Sequence, residues 1–119
     1  MSIVKNQQVA DQWVEGLAGN WTILERLSSP TMRVWHSHDN IWLTREEGAA
    51  RMASSESRSS PPVFEDVRAM PTPNGFIVQG SIAALGAAGK THIIQVLTVE
   101  DGKIAACEEY IAPEMSLEG

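Results

Sequence analysis

The chain has 119 residues, 43% of them hydrophobic, a formal net charge of −6 and one cysteine, Cys107. That length supports one domain around one ordinary core, so residues 1–119 are read as a single unit. The acidic balance, with no basic run, excludes nucleic acid and anionic membrane surfaces as partners, and a lone cysteine excludes an intrachain disulfide.

Lys5 to Leu17 reads as an amphipathic helix: Val9, Trp13 and Leu17 recur every four residues with Gln and Glu between them. Ala18-Gly19-Asn20 ends it, with Gly19 as a C-terminal cap and Asn20 as the N-cap of a shorter helix marked by Trp21, Leu24 and Leu27. Asn20-Trp21-Thr22 matches a glycosylation sequon but reads better as this helix start. No signal peptide precedes the first helix and no apolar run is long enough to span a bilayer, so the expected compartment is the cytoplasm.

Ser28-Ser29-Pro30-Thr31 stops the second helix. Met32 to His38 is then a strand running into a loop. Period two places Val34, His36 and His38 on one face and Arg33, Trp35, Ser37 and Asp39 on the other. The stretch Met32 to Leu43 concentrates histidines and tryptophans, which points to one wall of a small-molecule pocket. Thr44-Arg45-Glu46-Glu47 has the form of a capping box and predicts a third helix from Arg45 to about Ser54. The Ser-rich run to Pro62 reads as a surface loop.

From Val63 the pattern turns period-two and β-branched. Strands are predicted at Val63–Met70, Phe76–Leu85, Thr91–Glu100 and Lys103–Ile111, with turns at Pro71–Gly75 and Asp101-Gly102 and a glycine-rich loop at Gly86–Lys90. Tight turns force antiparallel pairing. The expected class is α+β: three N-terminal helices on the concave face of a curved, largely antiparallel sheet, enclosing a conical cavity, with Gly80 as a candidate bulge.

Several residues carry possible chemistry. His36 or His38 suits a general acid or base because imidazole titrates near neutrality. The His-x-His spacing, with His92 or Glu109 as a third ligand, also invites a metal, but the glutamate a cupin carries after its second histidine is missing, and no metal is expected. Asp39 either orients a histidine or closes an Asx turn with Asn40. Glu108 and Glu109 must point to opposite faces; a two-residue hairpin sets Ile94 across from Glu109 and places it beside His92, Val96, Cys107 and Ile111, so Glu109 is the expected inward carboxylate. Cys107 reads as a buried core thiol. Trp13 and Trp21 read as core, while Trp35 and Trp42 flank the polar cluster where a ring-shaped ligand would sit. Ala84 to Thr91 mimics a P-loop, but a strand follows the lysine where a P-loop needs a helix.

The order helix–helix–strand–helix–four strands resembles the NTF2-like superfamily, or cone fold, and within it the SnoaL-like polyketide cyclase and ketosteroid isomerase-like branch. The resemblance rests on Val34 to Asp39, Phe64 to Arg68, Asn74 to Gln79, Val99 to Ile104 and Glu108 to Ile111, and covers nearly the whole chain. It implies a pocket between helices and sheet, a homodimer through the outer face of the sheet, and acid–base chemistry with no metal and no organic cofactor. The sequence has no Asp-Arg-Asp set of the epoxide-hydrolase type, and its only tyrosine is Tyr110. The expected function is therefore proton abstraction and redonation on a small apolar cyclic or carbonyl compound, as in an isomerase, cyclase or dehydratase. His36, His38, Asp39 and Glu109 are the candidate catalytic groups, and Trp35, Trp42, Gln79, His92 and Tyr110 the candidate ligand contacts. The alternative is a non-catalytic ligand-binding or dimerising module of the same fold.

Overall fold

A computed structural model of the chain describes residues 3–53, 64–83 and 89–114. The elements run α1 (Ile3–Leu17), α2 (Trp21–Leu27), β1 (Ser28–His36), β2 (Ile41–Thr44), α3 (Arg45–Ala53), β3 (Glu65–Thr72), β4 (Gly75–Ala83), β5 (Lys90–Glu100) and β6 (Lys103–Pro113). Among the described residues no helix is long and apolar enough to cross a membrane. The loop expected at Ser54–Pro62, the residues at 84–88 and the tail from 115 lie outside the described set.

The fourfold spacing of α1 has its consequence in packing. Val9, Trp13 and Leu17 are buried together with Ala10 and Asn6. Gly19, at φ +127°, turns the chain out of the helix. Asn20 holds the N-cap position of α2, but its side chain accepts from the Thr22 hydroxyl (2.9 Å) and caps no backbone N–H. The capping box at α3 forms as a reciprocal pair. Thr44 N–H donates to Glu47 Oε1 (2.9 Å) and Glu47 N–H to Thr44 Oγ1 (3.1 Å).

Six strands form one open sheet in the order β2-β1-β6-β5-β4-β3. β1 runs parallel to β6 and every other neighbour is antiparallel. Two departures from the sequence reading have local causes. The second helix stops at Leu27 as expected, but β1 begins at once at Ser28 and ends at His36, where a strand from Met32 to His38 is expected. Its pairing with β6 slips between Ser28 and Arg33, so the N–H that Pro30 lacks is not called on by the ladder. The short β2 returns along β1 through a turn closed by Asn40 at φ +57°, and four residues are too few to show a period.

The bulge expected at Gly80 lies instead on the strand facing it. β4 pairs through Gly80 without interruption, whereas β3 slips between Glu65 and Arg68, with Asp66 at φ +53°. Glycine eases the close approach opposite that bulge: a Cβ there would stand 3.3 Å from the Glu65 carbonyl oxygen, and the bulge would have to give by a few tenths of an ångström. The β3–β4 turn is tighter than expected, with Thr72 paired to Gly75, and a side chain at Gly75 would collide with the Leu97 carbonyl.

The core lies between α1–α2 and the inner face of the sheet. Phe76, Val78, Ile82, Ile93, Leu97, Ile104 and Cys107 meet Trp13, Leu17 and Leu24 there, and Trp13 meets Phe76 edge-on at 6.5 Å. Each such side chain stabilises the fold by roughly 2 kcal/mol through burial. α3 packs against β1 and β2, at the sheet's other end from the α1–β3 contact.

Candidate functional site

The parallel β1–β6 ladder sets His36 across from Glu109 and Val34 across from Cys107 on the inner face. His36 Nε2 lies 3.4 Å from Glu109 Oε1, with both side chains less than one-fifth exposed. The second carboxylate oxygen accepts from Gln95 Nε2 at 2.7 Å, and Gln95 Oε1 accepts from the Trp13 indole N–H at 2.9 Å. An indole is only a donor, so Trp13 fixes which end of the Gln95 amide faces it and turns the NH2 end toward Glu109. A polar chain Trp13–Gln95–Glu109–His36 thus runs out of the core across α1, β5, β6 and β1. His36 Nδ1, at its end, is buried and has no hydrogen-bond partner among the described residues.

The turn after β1 carries the other histidine. Ser37 N–H donates to the Glu109 carbonyl (2.9 Å) and Ile111 N–H donates to Ser37 Oγ (2.9 Å), which ties the turn to β6. The rings of His36 and His38 stand 5.6 Å apart. His38 is half exposed, with Nε2 3.6 Å from Asp39 Oδ2. Asp39 Oδ1 accepts from Ile41 N–H at 3.2 Å, the Asx-turn geometry, so this carboxylate closes the turn and sits beside an imidazole at once. His36, His38, Asp39 and Glu109 are brought into one neighbourhood.

The candidate ligand contacts fall on the other face of the sheet. Glu109 is inward as expected, but its neighbours differ. A bulge at Ala105 shifts the β5–β6 register: Val99 pairs with Ile104, but Thr98 pairs with Ala106, so Gln95 faces Glu109 and Ile94 faces Tyr110. His92 and Val96, expected beside Glu109, therefore point outward with Gln79, Tyr110, Trp35 and Trp42. His92 pairs there with Glu114 at 2.8 Å. The His36, His38 and His92 set is not assembled, and among the described residues no group of three or more His, Cys, Asp or Glu side chains is placed to hold a metal. Trp35 and Trp42 are cross-strand partners on the outer face and do not wall the inner site. The side chain of Trp21 is outside the described set.

Known proteins resemble this chain in fold. No family model matches the chain, and no curated protein sequence does. Solved structures match in shape. An NTF2-like protein of unknown function from Burkholderia xenovorans LB400 aligns with a TM-score of 0.74 over 97% of this chain and 88% of that one, at 16% identity. A proposed ketosteroid isomerase from Kribbella flavida aligns at 0.73 over 97% and 83%, with 15% identity. A protein of ketosteroid isomerase-like fold from Catenulispora acidiphila, solved with trimethylamine, aligns at 0.60 over 87% and 85%, again at 15% identity. The chain has the NTF2-like cone fold.

In this cone the polar chain lies on the concave face, at the margin of the apolar core. Sequence reasoning missed Gln95 and the hydrogen-bonding role of Trp13. The available signal was a lone glutamine among Thr91, Ile93, Leu97 and Val99, the alternate positions of β5 that face the core; a buried amide requires partners. Cys107 sits within the core, its thiol pushed well above its ordinary range by burial first and then by the charges of Glu109 and Glu108. Its place among the core side chains is that of a packing residue. Two surface hollows among those formed by described residues stand away from His36 and Glu109. One, of about 400 Å³, lies among Lys5, Asn6, Val9, Val99, Asp101 and Gly102. The other, of about 190 Å³, lies on the outer face among Trp35, Trp42, Glu108 and Tyr110.

Proposed function

We propose that the concave face of this cone binds a small apolar cyclic or carbonyl compound and moves a proton on it, with His36 as the proton carrier and Glu109 as its partner. The observation that carries the reading is the His36–Glu109 pair at 3.4 Å, with His36 Nδ1 buried and, among the described residues, unpartnered at the end of the Trp13–Gln95 chain. With the proton placed on Nε2, the nitrogen nearer the carboxylate, a neutral imidazole keeps its lone pair on Nδ1, which would take a proton from carbon once a compound enters the concave face beside it. Glu109 then stabilises the imidazolium, and the same nitrogen returns the proton to a second position. His38, its ring 5.6 Å from that of His36, forms a more exposed pair with Asp39, suited to a second proton transfer at the mouth. As read, the chemistry uses only the chain's own acid–base groups. Isomerase, cyclase and dehydratase reactions of the SnoaL-like kind share this requirement.

The test is carbon–hydrogen exchange. Cyclic ketones and enones are incubated with the protein in D2O, and deuterium entering next to the carbonyl is followed by NMR. The expected result is exchange above the buffer rate, reduced by about 10²-fold or more in Glu109→Gln and in His36→Gln. Binding of these probes without exchange would favour the non-catalytic binding module.

A second reading concerns assembly. Met70 and Ile94 stand 63% and 42% exposed on the outer face, with Ile77 and Val96 between them. A second copy laid over β3–β5 would cover this patch, giving a homodimer through the sheet in a cytoplasmic protein. Sedimentation tests it: a monomer at high protein concentration would refute the dimer and leave the concave-face proposal standing.

A further inference from the structure

The outer-face hollow carries an inference of its own, independent of the concave site. One row of cross-strand partners runs across the whole sheet there: Trp42, Trp35, Glu108, Val96, Ile77 and Met70. Five of the six are apolar, and the exception stands in the middle. Tyr110, two residues along β6, meets Trp35 edge-on at 5.1 Å and closes the hollow on a third side. The Trp35 indole N–H is held by Asn40 Oδ1 at 2.8 Å, so the ring is fixed and not a mobile flap. Among the described residues no side chain pairs with the Glu108 carboxylate, although it is partly buried among these rings. Arg33 does not supply the missing charge. Its guanidinium is spent on Trp42, 5.0 Å from the ring centre.

We propose that this hollow binds a small alkylammonium cation, seated against Trp35, Trp42 and Tyr110 with Glu108 as its counter-charge. The chemistry selects the class. Aromatic faces are negative and attract cations, most strongly those that are weakly hydrated. A methylated ammonium head needs few hydrogen bonds, and the hollow offers few. Neutral apolar ligands would leave Glu108 desolvated and unpaired, and anions would be repelled by it and by the net charge of −6. At about 190 Å³ the hollow suits a head group and not a larger molecule. Its position on β2, β1 and β6 sets it beside, and not within, the apolar patch of β3–β5.

The experiment titrates the full chain with tetramethylammonium chloride, reading tryptophan fluorescence, against sodium chloride at matched ionic strength. Sedimentation velocity is run at both ends of the titration. The expected result is a saturable change with tetramethylammonium alone, lost in Trp42→Ala and weakened about tenfold in Glu108→Gln, with the sedimentation coefficient constant. Trp42 is 41% exposed and Glu108 lies on the surface of the sheet, so both variants should fold, which circular dichroism checks. An equal response to sodium chloride, undiminished binding in Glu108→Gln, or a signal that follows protein self-association would each overturn the proposal; the last would assign the hollow to a second copy.

Discussion

Glu108 and Glu109 are neighbours in sequence and differ in everything the fold adds. Glu109 faces the core side, takes a hydrogen bond from Gln95 and stands against His36. Glu108 faces outward between Trp35 and Val96, with no side-chain partner among the described residues. The pleat alone separates them, because successive residues of a strand point to opposite faces. One carboxylate is built into a chain that reaches back to α1. The other is left as a charge set among rings. The partner set, and not the residue type, is what separates the two proposals, proton transfer at Glu109 and cation binding at Glu108.

The comparison breaks first at Gln95. Replacing it by leucine strands the Trp13 N–H in the core and removes the donor to Glu109, at a cost of roughly 3 kcal/mol in urea unfolding. Glu109→Gln keeps an acceptor for Gln95 and is expected to cost only about 1 kcal/mol while abolishing the proposed exchange activity. Glu108→Gln is expected to change stability by less than about 0.5 kcal/mol and to leave exchange intact. Should both glutamates prove equally costly to replace, the distinction between the two faces fails.

The legible part of this molecule was whatever local pattern records. The fourfold repeat of Val9, Trp13 and Leu17 announces α1, the Thr44–Glu47 box announces α3, and alternation sets Glu108 and Glu109 on opposite faces. What escaped was register. The bulge at Ala105 is marked by no special residue type, yet it moves every partner of β6 beyond it by one. It exchanges Ile94 for Gln95 opposite Glu109 and sends His92 to the far face. The pairing of β1 with β6 is a contact between distant segments, so the meeting of His36 with Glu109 could not be read from spacing. Trp35 and Trp42 were read as pocket walls because they lie close in sequence to the histidines; the pleat puts them behind those residues.

Cys107 offers a sharper probe of the inner face. Its folded thiol titrates well above the ordinary value, whereas the unfolded thiol titrates near pH 8.5. The folded state therefore holds its proton more tightly. The thiol's contribution to stability is fully present below about pH 8.5 and falls as pH rises through that value toward the folded one. Alkylation by iodoacetamide is expected to be slow in native protein and to rise with urea along the unfolding transition. Rapid native labelling would mean that the margin of the core beside Glu109 is open.

The smallest effect belongs to the outer face and has the opposite pH sense. Glu114 Oε1 accepts from the Lys90 N–H at 3.0 Å and Oε2 meets His92 at 2.8 Å, fastening the end of β6 to the start of β5. The backbone bond from Lys90, and then the one to His92, hold its carboxyl below the ordinary range. A depressed carboxylate contributes fully above its unfolded value, near pH 4.3, and that contribution is lost as pH falls through the folded value. Acid should therefore loosen this clasp and hasten amide exchange at Lys90 before the sheet centre responds. In Glu114→Gln the acid dependence should disappear while the backbone bond from Glu114 N–H to the Lys90 carbonyl, at 2.9 Å, keeps the strands paired. Acid-dependent exchange at Lys90 persisting in that variant would show that the clasp is held by the ladder and not by the side chain.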